Sequence, residues 1–240
     1  MGLVGKMSDE FDFDKYWLDK FSKCLDETVG EQIRKEVMRG SRDITAQSDR
    51  EEVLIWTDKA LERLANLTDE NKAIEVMSCS ACQYSKEGLQ KFRLLYEKTM
   101  DIDLVLERMQ EQFESFLKDE LKLPNNLIEE ITERNMGFAG IREGNKIIAT
   151  KIPKSAFVRD WFNEEDSNEK RAIYCHCPRI RDALKIPENT IHLLQCFCGG
   201  GHYKGIWEEI LQQPVKVEVL ETVIHGSDVC KFAIYLPEEK

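Results

Sequence analysis

Two short stretches carry most of the reactive chemistry. Cys175-His176-Cys177 and Cys196-Phe-Cys198-Gly-Gly-Gly-His202-Tyr203 together hold four thiols and two imidazoles. Thiolates and imidazoles are the usual ligands of zinc, which takes four in a tetrahedral shell with Zn–S near about 2.3 Å. In an extended strand residues i and i+2 share a face about 7 Å apart. On that geometry Cys175 and Cys177 form one pair and Cys196 and Cys198 another, and both pairs could converge on a metal. C-x-C is less diagnostic than paired C-x-x-C knuckles, because no turn builds half of the site. The same thiols could instead serve as small buried hydrophobes. Gly199-Gly-Gly201 runs towards a helix whose first N–H groups could receive a carboxylate or phosphate, or it forms a plain turn. His202, Tyr203 and Trp207 are the candidate lining of a ligand pocket between that helix and the closing hairpin, although the two aromatics also suit a core.

The hairpin supplies a carboxylate. With Gly226-Ser227 as a two-residue II′ loop, Val217, Val219, Glu221 and Val223 share a face with Cys230, Phe232, Ile234 and Leu236. That register strands Glu221 among apolar side chains, across from Phe232 and diagonal to Cys230. An ionised carboxylate there is costly unless it is paired, hydrogen-bonded or bound to metal. A slipped register would leave it in water.

Composition narrows the partners. The 240 residues are 42% hydrophobic, enough for a sizeable core, and 45 acidic against 34 basic residues give a net charge of −11. That sign disfavours nucleic acid and anionic membrane surfaces. Met1 to Asp14 has one early lysine and no continuous apolar run, so neither a secretory signal nor an organelle presequence is expected there. No run reaches the ~18 apolar residues of a membrane span. A cytoplasmic setting follows, in which the eight cysteines are expected to bind metal or do redox chemistry rather than form structural disulfides. Cys79 and Cys82 make a separate C-x-x-C. No βαβ pattern surrounds it, so it reads as a buried pair or as distant ligands. His192, in Ile191-His-Leu-Leu194, reads as a strand residue.

The elements that must position these groups divide into two textures. Residues 1–135 read as a helical bundle of six or seven helices. Trp17, Phe21, Cys24 and Leu25 form one stripe, Val53, Trp56, Leu61, Leu64 and Leu67 another, and Leu94, Leu95, Ile102, Leu104, Leu106, Met109, Phe113 and Phe116 are core positions. Ser48-Asp-Arg-Glu51 reads as a capping box, and Pro124 opens a short helix ending near Met136. Residues 136–240 read as a mixed α/β domain. A strand follows the Glu143-Gly-Asn145 turn, a polar loop spans 159–170, and strands lie at 171–178 and 191–197. A helix from about His202 to Gln212 precedes the hairpin 215–225 with 229–236. The fold class is α+β with an antiparallel sheet.

The tract from Gly199 through Trp207 to Glu218-Val-Leu-Glu-Thr-Val-Ile-His-Gly-Ser-Asp-Val-Cys-Lys-Phe-Ala-Ile234 resembles the end of the 4-vinyl-reductase domain family, over roughly the last hundred residues. The resemblance implies a small-molecule-binding α/β module. In metal-binding members a zinc is held by a cysteine before the last helix, a glutamate on the first hairpin strand and cysteines at its far side. Cys198, Glu221 and Cys230 match that order. A further family cysteine would fall near Val223 or Ile224, where this chain has none, so Cys196, Cys177, Cys175 or His225 would complete the shell. The helical part, with Met77-Ser-Cys-Ser-Ala-Cys82, distantly resembles proteins grouped with L-2-amino-thiazoline-4-carboxylate hydrolase.

The function expected is binding of a small organic ligand beside a structural zinc, with a homodimer as the candidate assembly and iron–sulfur ligation less favoured. One alternative is a hydrolase in which zinc-bound water or the Cys196 or Cys198 thiolate attacks a carbonyl or imine carbon, with Glu221 or His202 moving protons. The other is an interaction protein with metal-free core cysteines. A closed ligand shell separates a structural zinc from a catalytic one. No G-x-S-x-G, H-E-x-x-H or P-loop pattern is present.

Overall fold

The computed structural model describes residues 12–81, 86–186 and 191–237. Among them, seven helices precede the first strand: α1 Phe13–Val29, α2 Glu31–Val37, α3 Arg50–Leu67, α4 Glu70–Cys79, α5 Lys86–Thr99, α6 Ile102–Ser115 and α7 Asn125–Glu133. Then follow β1 Ile141–Glu143, β2 Lys146–Thr150, α8 Val158–Asn163, α9 Ser167–Tyr174, α10 Phe197–Leu211, β3 Lys216–Glu221 and β4 Lys231–Tyr235. The fold is α+β, with one four-stranded antiparallel sheet in the order β1-β2-β4-β3. No described helix is long and apolar enough to cross a membrane.

Aspartates start five of the ten described helices. Asp12, Asp49, Asp69, Asp101 and Asp166 each accept a hydrogen bond from an N–H of the following turn, a cap worth about 1 kcal/mol. The cap of α3 is thus Asp49 rather than Ser48, whose hydroxyl instead accepts from Thr45 N–H. Asp166 overturns the expected polar loop at 159–170: it caps α9, and α8 occupies most of the remainder. The stripes on α1 and α3 are buried up to Leu64, whereas Leu67 is 46% and Leu94 55% exposed.

The cores cross the change of texture. The inner face of the sheet, with Ile147, Ala149, Phe232 and Ile234, packs with Leu89 and Phe92 of α5, Val105 and Met109 of α6, and Tyr203, Ile206, Trp207 and Ile210 of α10. A second cluster joins α7, α8, α9 and Val223, and a third joins α1 to α4 with Leu194.

Two expected strands are absent. Residues 171–174 complete α9, and 193–196 form a 3₁₀ turn that runs straight into α10, which therefore starts five residues before His202. The three glycines lie inside this helix, where their value is space. A Cβ on Gly201 would stand 2.0 Å from the Ser78 carbonyl oxygen of α4, and one on Gly199 2.8 Å from the Phe232 ring. Helix α10 thus wedges between the α4 backbone and the side chains of the sheet.

Two further departures concern cross-links. Cys79 is bonded to Cys24, tying α4 to α1, so the chain holds a disulfide of a kind uncommon in the expected cytoplasm; Cys82 lies outside the described residues. A buried ion cluster ties the segment after α9 to the bundle. The Arg179 side chain, 0% exposed, meets Asp14 at 3.0 Å, donates to the Thr57 hydroxyl at 2.8 Å and lies 4.2 Å from the Trp17 ring. Arg50 reaches the other oxygen of Asp14 at 2.7 Å.

Candidate functional site

Cys175, Cys177, Cys196, Cys198 and Cys230 carry reduced thiols, and Cys175, Cys196 and Cys230 come near one another from three separate segments. Cys175 ends α9 in extended backbone, and its carbonyl accepts two hydrogen bonds from Arg181, at 3.0 and 2.9 Å. Cys196 closes the 3₁₀ turn before α10. Cys230 immediately precedes β4, where its carbonyl accepts from Lys151 N–H at 2.9 Å. Tyr174, fully buried, joins these parts: its hydroxyl accepts from Cys230 N–H at 2.9 Å and donates to the Lys151 carbonyl.

Burial sets the electrostatics of the three thiols. It pushes Cys175 up to about 11, against hydrogen bonding from the Cys177 backbone. It pushes Cys196 up to about 12, against hydrogen bonding from the Thr222 side chain and the Ile224 backbone. Cys230 is raised by burial too, with Lys151 and the Val223 backbone pulling the other way. A charge on Cys230 raises both Cys175 and Cys196, and one on Cys175 raises Cys196. Without metal the three are therefore neighbouring neutral thiols. A divalent cation would have to displace their protons, so its affinity would rise with pH.

The remaining candidate residues land in different places. Cys196 and Cys198 do not share a strand face, because α10 begins at Phe197 and residues two apart in a helix diverge. The same change puts Cys198 and His202 at i and i+4, on one face. Gln195 donates from its side-chain amide to the Cys177 sulfur at 3.8 Å. Glu221 departs most. A bulge between Val219 and Glu221 sets Val219 opposite Phe232 and Glu221 opposite Lys231, turning the carboxylate to the outer face. There it meets Lys231 at 2.6 Å with its side chain 41% exposed. The expected two-residue loop gives way to a longer connection containing a 3₁₀ turn, Val223–His225. The order Cys198, Glu221, Cys230 thus does not meet as a ligand set. Among the described residues no group of three or more His, Cys, Asp or Glu side chains is arranged to hold a metal ion.

Nor does the expected pocket open between α10 and the hairpin. Tyr203 and Trp207 are 2% and 0% exposed within the core. Tyr203 donates to the Gly137 carbonyl at 2.8 Å and packs 5.1 Å from Phe232, ring to ring. His202 is only partly buried and touches Tyr203 edge to face. His192 caps the 3₁₀ turn through its ring, 3.2 Å from Leu194 N–H.

Sequence reasoning gave no role to Tyr174, Thr222 or His176. Nothing marks the first two, since an isolated Tyr or Thr has no spacing to read. His176 stands between two cysteines and was legible as a candidate. Its Nε2 donates to the Ile152 carbonyl at 2.9 Å, leaving Nδ1 with the lone pair. Burial first, and the charge of Lys151 second, hold its pKa well below the ordinary value. The folded state thus favours the neutral ring, whereas the unfolded chain takes up a proton near pH ~6.5. Stability of the metal-free protein should therefore fall as the pH drops below about 6.5, with a slope from this group of up to about 1.4 kcal/mol per pH unit. The gap between urea midpoints at pH 7 and pH 5 is expected to narrow in His176→Gln. An unchanged gap would show that the ring does not carry this dependence.

Compared with family models, with curated proteins and with solved structures, the chain matches none.

Proposed function

We propose that the chain is a metal-binding protein whose zinc is structural, with Cys175, Cys196 and Cys230 as thiolate ligands and Cys198 or Cys177 as the fourth. The observation that supports this reading is that Cys175, Cys196 and Cys230, from the end of α9, the turn before α10 and the start of β4, lie near enough for a charge on one to raise another. Burial first, and one another's charge after it, keep these thiols from ionising readily. A soft divalent cation relieves that conflict by taking the thiols as thiolates. Glu221 has no part in this shell.

Protein purified without chelator or histidine tag is expected to carry about one zinc per chain, and chelation should lower its melting temperature by roughly 10 °C or more. Cys196→Ser should lose the metal, while Glu221→Gln should keep it. Metal content well below stoichiometric, with no change in melting on chelation, would leave the cysteines as metal-free core residues.

One observation favours a second reading, the i,i+4 placement of Cys198 and His202 on α10. A thiol and an imidazole on one helical face are the parts of a nucleophile and its base. Loss of a hydrolytic activity in Cys198→Ser, with melting and metal content unchanged, would favour that reading.

A further inference from the structure

We propose that Lys154 and Arg181, with Lys151 beside them, hold the phosphate or sulfate group of a small molecule. The site borders the thiols but does not rest on the zinc reading.

Two segments clamped side by side build it. The chain leaves β2 through Lys151-Ile-Pro-Lys154 and leaves α9 through Cys175-His176-Cys177. The Tyr174 hydroxyl donates to the Lys151 carbonyl, and the His176 ring to the Ile152 carbonyl at 2.9 Å. Arg181 turns back on the second segment, giving Nε and Nη2 to the Cys175 carbonyl at 3.0 and 2.9 Å. That grip fixes the guanidinium and does not use Nη1. Arg181 and Lys154 then share one ring, with Cζ 5.1 Å and Nζ 5.6 Å from the centre of Phe157.

The cluster has no counter-ion. Among the described residues Lys151, Lys154 and Arg181 form no ion pair within 4.0 Å, although acidic residues outnumber basic ones 45 to 34. Asp182, next in sequence to Arg181, is exposed and does not pair with it. Lys185 shows the commoner arrangement, meeting Glu169 at 3.1 Å. All three unpaired cations are only partly exposed. Burial first, and the charge of Arg181 second, hold Lys154 below its ordinary pKa. Like charges gathered in half-buried positions oppose one another, and a bound anion offsets that cost.

Chemistry selects the occupant. A fixed guanidinium offers directed N–H groups and a lysine offers a point charge, the pair of donors suited to a tetrahedral oxyanion. A monocarboxylate answers one cation, whereas the second charge of phosphate or sulfate answers the other. Three cations are too few for a nucleic acid, and a net charge of −11 opposes so large a polyanion. Lys151 and Arg181 also favour an ionised Cys175, but Lys154 acts on His176, so service to metal-bound thiolates leaves Lys154 without a role.

The test is titration of the intact protein, freed of metal on a chelating resin, with inorganic phosphate at constant ionic strength, read by calorimetry and thermal unfolding. Saturable binding is expected with a Kd on the order of 0.1–1 mM, matched by sulfate and at least about tenfold weaker for acetate. Lys154→Gln should weaken phosphate binding at least about tenfold, while its melting temperature without phosphate stays the same or rises, because a repelled cation is gone. Lys154→Arg should retain binding. Unchanged affinity in Lys154→Gln with lowered melting would make the lysine structural and overturn the proposal, as would equal stabilisation by phosphate and chloride. Protein reloaded with zinc should bind phosphate as the metal-free protein does; loss on reloading would assign the cations to the thiolates and overturn it. Capture by phosphatidic acid vesicles without binding of inorganic phosphate would overturn it in favour of a lipid headgroup. A protein that takes up no zinc yet binds phosphate supports this proposal and sinks the zinc reading alone.

Discussion

Replacing Gly201 by alanine is expected to cost about 3 kcal/mol or more, or to prevent folding altogether. The added methyl would lie 2.0 Å from the Ser78 carbonyl oxygen and 2.6 Å from that residue's Cα. Backbone on both sides leaves no flexible side chain to give way, so α4 and α10 must separate, which places the change at the severe end of overpacking. For a chain of this size that corresponds to a fall in melting temperature of roughly 6–12 °C. Its neighbours give the comparison. At Gly200 the methyl would make ordinary contacts, the nearest 3.5 Å away at Val217, so the better helix propensity of alanine is expected to leave stability unchanged or raise it by up to about 1 kcal/mol. Gly199→Ala, pressing on the Phe232 ring, should fall between. Thermal and urea unfolding of the three variants checks the order. Equal stability of Gly201→Ala and the unmodified protein would mean that α10 does not sit against α4 as described.

Asp14→Ala is expected to lose about 3–5 kcal/mol, because it leaves the buried guanidinium of Arg179 without its counter-ion. Asp14 bridges Arg179 and Arg50, at 3.0 and 2.7 Å. Removing the cation is milder, since in Arg179→Met the carboxylate keeps Arg50 and an apolar chain fills much of the space over Trp17. The double variant Asp14→Ala/Arg179→Met should therefore be more stable than Asp14→Ala alone, as replacing a whole buried pair costs less than halving it. Urea denaturation at constant pH decides. A loss below about 1 kcal/mol for Asp14→Ala, under the usual cost of uncovering a buried charge, would place this cluster in water.

Periodicity made the helical half of the fold legible. The stripe Trp17, Phe21, Cys24 and Leu25 is buried as its spacing requires, and the Glu143-Gly-Asn145 signal joins β1 to β2. The apolar alternation of the hairpin also chose the correct inner faces, but its register was two residues off, since Val219 and not Glu221 opposes Phe232. What it could not supply was the bulge. Leu220 is apolar, so the inserted residue leaves no mark in the pattern, yet it turns Glu221 from the inner face to the outer. The expected strands at 171–178 and 191–197 failed because short apolar runs fit helix and strand alike. Three successive glycines argue against a helix on propensity alone; tertiary contact with α4 and Phe232 overrides that cost. The site was legible as a list of thiols and not as an arrangement. Cys198 leaves its expected partner because the helix starts early, and the pairing of Cys79 with Cys24 rather than its near neighbour is beyond what cysteine spacing can decide.

That pairing acts on the chain before it is folded. The Cys24–Cys79 bond spans 55 residues, and closing a ring of that length removes conformational freedom from the denatured ensemble worth about 4 kcal/mol. The ring encloses the end of α1, all of α2 and α3, and α4 up to its last residue. A denatured molecule therefore keeps α1 and α4 within one covalent loop, and refolding begins with the two walls against which Leu194 and Gly201 later seat already tethered. Under reducing conditions the same sequence must find that pairing from an open chain, so the redox state of the medium sets how much of the search remains.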